Sequence, residues 1–211
     1  MRDYVLNGIK QLFPVSETDA GEFSEISKGG MHFHIKTYQA EGAGKLFLMD
    51  MKAMGGLMRM GTLTFTPTSL DGPIISIDEV YALGRSTLVL ELYDTTLSHP
   101  GFHSLDPVKE EYSPLPSYVP EDHPYYRFRM PQSDYKRGRG IKTQLSTMAE
   151  QYFKAYLNEL RMCSQIDPSE KIRKNQEFSN SLFESGGPAV NKFKEMIGED
   201  KTKIFLTEYM Y

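Results

Sequence analysis

The sequence predicts an α/β chain with helices packed on both faces of one antiparallel sheet, a three-layer α/β/α sandwich whose helices are mostly C-terminal. Three observations carry this. The apolar spacing changes from helical to alternating at residue 31, five alternating runs then follow across short turns, and the pattern is helical again from about Leu145. The 211 residues are expected to form one domain, 1–211, and a composition of 39% hydrophobic and 25% charged residues excludes long disorder, collagen and coiled coil.

Over residues 2–13, Val5, Leu6, Ile9, Leu12 and Phe13 recur at helical spacing, and Pro14 ends the run. A polar stretch leads to Gly29-Gly30. Residues 31–38 then alternate as a strand, and 45–52, 59–66, 74–80 and 86–93 read as four more. Turn signals separate them at Gly42/Gly44, Gly55-Gly56, Ser69 to Pro73 and Gly84-Arg85, so consecutive strands pair as an antiparallel meander. The run 45–52 is apolar on both faces, with Leu46 and Leu48 on one and Phe47, Met49 and Met51 on the other, as expected for a strand in the middle layer. Residues 98–124 form a long irregular segment with six prolines, and Tyr125 to Met130 are expected as a last short strand stopped by Pro131. Leu145, Met148, Tyr152, Tyr156 and Leu160 make a helical stripe. Asp167-Pro168-Ser169-Glu170 reads as a capped helix start, Gly187-Pro188 opens another helix ending near Gly198, and Asp200 is expected to cap the last.

With 24 Lys and Arg against 28 Asp and Glu, the net charge of −4 argues against a nucleic-acid partner. Cys163, the single cysteine, excludes an internal disulfide and any multi-cysteine zinc or iron–sulfur site within one chain. No apolar run reaches membrane-spanning length and the start lacks a signal pattern, so a cytoplasmic protein with no membrane partner is expected.

Nucleophile-elbow, zinc-protease, dinucleotide-fingerprint and Walker patterns are absent from the sequence. His32 and His34 share a strand face and have a chelating spacing, but the sequence fixes no carboxylate partner, and no metal site is expected. Lys136, Arg137, Arg139 and Lys142 make a cationic cluster on an acidic chain, either a solvated helix start or a docking spot for an acidic partner. Two carboxylates stand out: Asp78 interrupts the otherwise apolar run 74–80, and Asp50 interrupts 45–52. Carboxyl groups on mid-sheet strands among apolar neighbours hold protons to higher pH and can exchange them near neutrality.

Several stretches resemble the ferredoxin-dependent bilin reductases of the phycocyanobilin:ferredoxin oxidoreductase type. They are Tyr38-Gln39 with Lys45 to Met51, Thr62 to Pro67 with Pro73 to Val80, and Leu88 to Asp94. Toward the C-terminus they are Gln176, Gly187-Pro188-Ala189, Met196-Ile197-Gly198 and Tyr209-Met210-Tyr211. The resemblance implies an α/β/α sandwich holding an open tetrapyrrole such as biliverdin between the sheet and the C-terminal helices. It implies no metal or tightly bound cofactor, single electrons from reduced ferredoxin or flavodoxin, a radical bilin, and protons from side chains. The family's essential sheet aspartate maps onto Asp78 and its second sheet acid onto Asp50, with Lys45, Arg59, Arg127 and Arg129 as candidates for the pigment's propionates. Two positions depart from the family. Thr62 stands where the histidine beside the aspartate is found, and Gly186-Gly187 replaces the acid before the Pro-Ala helix start. The proton relay is then reduced to Asp78 and Asp50. The alternative is a non-catalytic tetrapyrrole-binding or carrier protein on the same fold.

Overall fold

The computed structural model describes residues 2–99 and 101–211, with side chains from Tyr4 onward. Eight strands form one sheet: β1 (Val15–Thr18), β2 (Glu25–Lys28), β3 (Met31–Ala40), β4 (Gly44–Ala53), β5 (Met58–Pro67), β6 (Ile74–Ala82), β7 (Arg85–Tyr93) and β8 (Asp134–Arg139). Their order is β1-β3-β4-β5-β6-β7-β8, with every pair antiparallel. The two short strands missed within the polar stretch share one edge of β3, β1 against its end and β2 against its beginning. The helices are α1 (Arg2–Lys10), α2 (Asp106–Glu111), α3 (Lys142–Leu160), α4 (Pro168–Ser185), α5 (Pro188–Ile197) and α6 (Glu199–Ile204), followed by a wide π-helical turn over Phe205–Met210.

Strand alternation separates two cores. Leu46, Leu48, Leu63, Phe65, Ile75, Ile77, Leu88 and Leu90 face α1 and α3, where Val5, Ile9, Met148, Tyr152 and Tyr156 cover them. Phe33, Ile35, Phe47, Met49, Ile74 and Tyr93 point the other way, against Phe178 of α4, Phe193 of α5 and Phe205. The three layers and the two-faced burial of β4 therefore stand as the sequence indicated. Asp167 caps α4 by accepting the Ser169 amide at 2.8 Å, with Pro168 in the first turn.

Several expectations are corrected. Residues 125–130 are not a strand, because Pro124 sets a 3₁₀ turn over Pro124–Phe128. Only Arg129 bridges Tyr93, and β7 pairs instead with β8. The cationic run around Lys136 is therefore a strand and not a helix start. The last helix begins at Glu199, after Gly198 at φ +88°, so Asp200 lies in the first turn and does not cap. Pro100 of the proline-rich segment lies outside the described residues, and Asp106–Glu111 of that segment is helical.

Candidate active site

Asp78 lies mid-way along β6, opposite Thr62 on β5 and Val89 on β7. Even-numbered residues of β5 and β6 and odd-numbered residues of β7 face α4 to α6, so this face carries Thr62, Thr64, Thr66, Ser76, Asp78, Glu91 and Tyr93 among the apolar residues. The Thr62 hydroxyl donates to Asp78 Oδ1. Burial raises the Asp78 pKa to about 6 and the nearby Glu91 charge adds to it, outweighing the Thr62 hydrogen bond. A carboxyl group so placed is part protonated near neutral pH.

Around it lies a ring of phenols. Glu91 is buried and accepts from the Tyr93 hydroxyl and, at 2.8 Å, from the Tyr135 hydroxyl. Arg129 Nη1 donates to Tyr135 Oη at 3.2 Å, and its guanidinium lies 4.1 Å from the Tyr126 ring centre. Burial, with Glu91 as the next cause, pushes Tyr126 up to about 12 and raises Tyr125, Tyr135 and Tyr93 as well. Tyr118 packs edge-on against Tyr135, and Tyr211 against Phe178. These phenols keep their protons and act as donors.

Tyr4 Oη, Glu79 Oε1 and Gln132 Oε1 are buried without a hydrogen-bond partner away from this face, and on it Thr66 Oγ1 and Asn175 Oδ1 are. The last two sit on the Asp78 face or on α4, near a cavity of about 180 Å³ lined by Lys45, Thr66, Asn175, Gln176 and Tyr211. The Thr66 hydroxyl can donate or accept and the Asn175 amide oxygen can accept, so both are open to a polar group in that cavity.

The structure brings some of the candidate residues together and separates others. Asp50 pairs in register with Gly61, which pairs with Glu79, whereas Asp78 pairs with Thr62, so Asp50 and Asp78 point to opposite faces of the sheet. The expectation of a carboxylate pair is thereby corrected. Asp50 lines a cavity of about 440 Å³ on the α3 side with Arg59, Glu79, Lys142 and Ser146, and Arg59 leaves the set with it. Lys45 is on the Asp78 side of β4, with Nζ donating to the Glu208 carbonyl at 3.3 Å. Arg129 is within the phenol ring, while Arg127 is exposed beside it with its guanidinium over Phe128.

Lys136 is corrected too. It is 3% exposed, donates to Ser117 Oγ at 2.9 Å and pairs with Asp134 at 3.3 Å, because even positions of β8 turn inward. Arg137 and Arg139 are exposed on the Asp78 side of β8, and Lys142 is exposed with Nζ 5.4 Å from the Tyr81 ring. His32 and His34 turn to β2, His32 to Ser27 Oγ at 2.9 Å and His34 to Glu25. Sequence reasoning missed Glu91, a charge between Leu90 and Leu92 that interrupts an apolar strand as Asp78 does.

No family model matches the chain, and no curated protein does. A solved structure does. The fold is similar to that of phytochromobilin synthase from tomato, a protein crystallised in complex with biliverdin. The two superpose with a TM-score of 0.75 at 15% sequence identity, over 98% of this chain and 80% of the tomato chain. That likeness covers both helical layers and the sheet between them, and it is a likeness of fold. Among the described residues, no helix is long and apolar enough to cross a membrane.

Proposed function

We propose that this chain binds a linear tetrapyrrole such as biliverdin between the sheet and α4 to α6 and reduces it. Electrons arrive one at a time from reduced ferredoxin or flavodoxin, and Asp78 supplies the proton. The single observation that carries the reading is Asp78 itself, a mid-sheet carboxyl group bonded by the Thr62 hydroxyl, with its pKa raised to about 6, on the face that α4 to α6 cover. The shared fold with a biliverdin-binding protein supports the choice of ligand.

The chemistry fits the geometry. A conjugated tetrapyrrole accepts an electron more readily once protonated, because the added charge is neutralised. Reducing one double bond takes two electrons and two protons. Asp78 gives a proton to the pigment, regains one from solvent, and gives the second. Its remaining oxygen and the Thr62 hydroxyl hold the donor in place. Lys45 and Arg129 lie on the same face, and Thr66, the register partner of Lys45, is four residues (about 13 Å) along β5 from Thr62. Two cations on the pigment's face suit its two propionates. Lys45→Ala and Arg129→Ala are each expected to weaken biliverdin binding about tenfold in an absorbance titration, while Arg59→Ala leaves it unchanged. Equal affinity for all three would remove the pigment from this face.

Arg137, Arg139 and Lys142 are the proposed docking cations, since all three are exposed and the β8 strand that carries the two arginines leads back to Tyr135 beside Asp78, with Lys142 following it at the start of α3. Arg137→Glu with Arg139→Glu is expected to slow ferredoxin-driven turnover several-fold at low salt and much less at high salt, with biliverdin affinity unchanged. A loss of rate that ignores salt would contradict docking.

A second reading, a pigment-binding protein without turnover, is favoured by Thr62, whose hydroxyl cannot act as an acid near neutral pH. Spectral binding without electron-driven bleaching selects it.

A further inference from the structure

Glu91 is the charged group of this face that the mechanism above does not use. It is 7% exposed, yet both of its carboxyl oxygens are engaged, one by the Tyr93 hydroxyl from its own strand and the other by the Tyr135 hydroxyl from β8. Acceptance on both oxygens is the pattern of a carboxylate. Burying a charge in this way is costly unless it is fully hydrogen-bonded, and the two phenols provide that. A glutamine or a leucine would fill the place more cheaply, so the charge calls for a use.

The register supplies one. Glu91 pairs with Ser76, and Asp78 with Val89, which puts the two carboxyl groups on the same face at diagonal positions of adjacent strands, about 7 Å apart at Cβ. The other groups around Glu91 come from every neighbouring element. They are Tyr93 on β7, Tyr135 on β8, Tyr118, Tyr125, Tyr126 and Arg129 from the loops, and Tyr211 from the last turn. The cations beside them are Arg129, which reaches Tyr135 but not Glu91 by hydrogen bond, and Arg137, whose guanidinium lies 4.0 Å from the Tyr118 ring centre.

We propose that Glu91 is a positioning residue whose fixed negative charge, held by Tyr93 and Tyr135, keeps the proton on Asp78 until the pigment takes it. Like charges on neighbouring strands disfavour ionisation of the more easily protonated one. Asp78, with a single hydroxyl donor, is that one, and Glu91, with two, is the fixed one. Removing the Glu91 charge leaves Arg129 uncompensated as well, which acts on Asp78 in the same direction.

This inference rests on the reading of Asp78 as the proton donor, but its test needs no turnover. Asp78 is titrated in the ligand-free protein by carboxyl infrared difference spectra against Asp78→Asn, in wild type and in Glu91→Gln. The Asp78 midpoint in Glu91→Gln is expected to fall by about one pH unit, leaving about tenfold less protonated Asp78 at pH 7. Biliverdin affinity should stay within a factor of about two, and the pH limb of turnover should move down with the midpoint. An unchanged midpoint with only a lower melting temperature would make Glu91 a structural residue and overturn the proposal. Should Glu91→Gln not fold, the wild-type titration decides. A second carboxylate band that persists through the Asp78 transition is expected, and protonation of Glu91 across that range overturns the proposal. Failure of bilin reduction with the midpoint shift intact would instead count against the assigned reaction alone.

Discussion

An Asp78→Asn variant is expected to bind biliverdin with unchanged affinity and to lose its reduction by a factor of 10² to 10⁴, roughly the contribution of a positioned proton donor. Asparagine keeps the shape and can still accept from Thr62, so the packing between β5 and β6 survives. The pH dependence follows from the raised pKa. Wild-type turnover should be flat below about pH 6 and decline up to tenfold per unit above it, as protonated Asp78 becomes scarce.

Stability also falls as the pH rises. An acid held at about 6 when folded and near 3.8 when unfolded binds its proton more tightly in the folded state. Its contribution to stability is fully present below about pH 4 and is lost as the pH rises through 6. At pH 8 the buried charge costs about 3 kcal/mol, so Asp78→Asn should be more stable than wild type there and no different at pH 4. Denaturation by urea at both pH values checks this. A variant that is inactive and also destabilised at pH 8 would point to a structural role.

The second large effect is on stability alone. Lys171 on α4 is fully buried, and its ammonium donates to the Gly72 carbonyl at 2.6 Å, the Thr95 carbonyl at 2.7 Å and Thr95 Oγ1 at 3.0 Å. Burial lowers its pKa to about 8, while Asp71 and Asp94 oppose that shift. Asp71 in turn accepts from the Leu97 amide at 2.7 Å and the Ser98 amide at 2.9 Å. One lysine thus pins the segment that enters β6 and the segment that leaves β7 to the helix covering the Asp78 face. Lys171→Ala strands three acceptors and leaves Asp71 without its cation, which should cost about 3–5 kcal/mol in urea denaturation. A cost under about 1 kcal/mol would mean that the clamp is not needed.

The sheet was readable because five of its strands alternate cleanly and are joined by glycine turns, and Asp78 was readable as a charge inside one of them. That Asp50 shares the face of Leu46 and Leu48 was readable as well, but that this face is opposite to the one carrying Asp78 was not. One residue of register reverses every side chain, and the turn at Met54–Gly56 puts Asp50 opposite Gly61 and Met49 opposite Thr62. A 3.6-residue or two-residue period carries no record of that turn. The strand β8 was hidden by its Lys, Arg and Gly content, which reads as solvated helix or loop, and its place in the sheet comes from pairing with β7, far away in sequence. The phenol ring was hidden for the same reason. Its members come from β7, β8, the segment after Pro124 and the last residue, and only folding brings them to Glu91.

The most direct test is an anaerobic absorbance experiment, in which the protein is mixed with biliverdin and then given reduced ferredoxin. The expected result is a tight spectral shift on mixing, then transient radical bands and a blue-shifted product, with the radical persisting and no product forming in Asp78→Asn. Biliverdin that binds without further change in the wild type would contradict reduction and leave a pigment-binding protein. No spectral shift at all would separate this fold from bilins altogether.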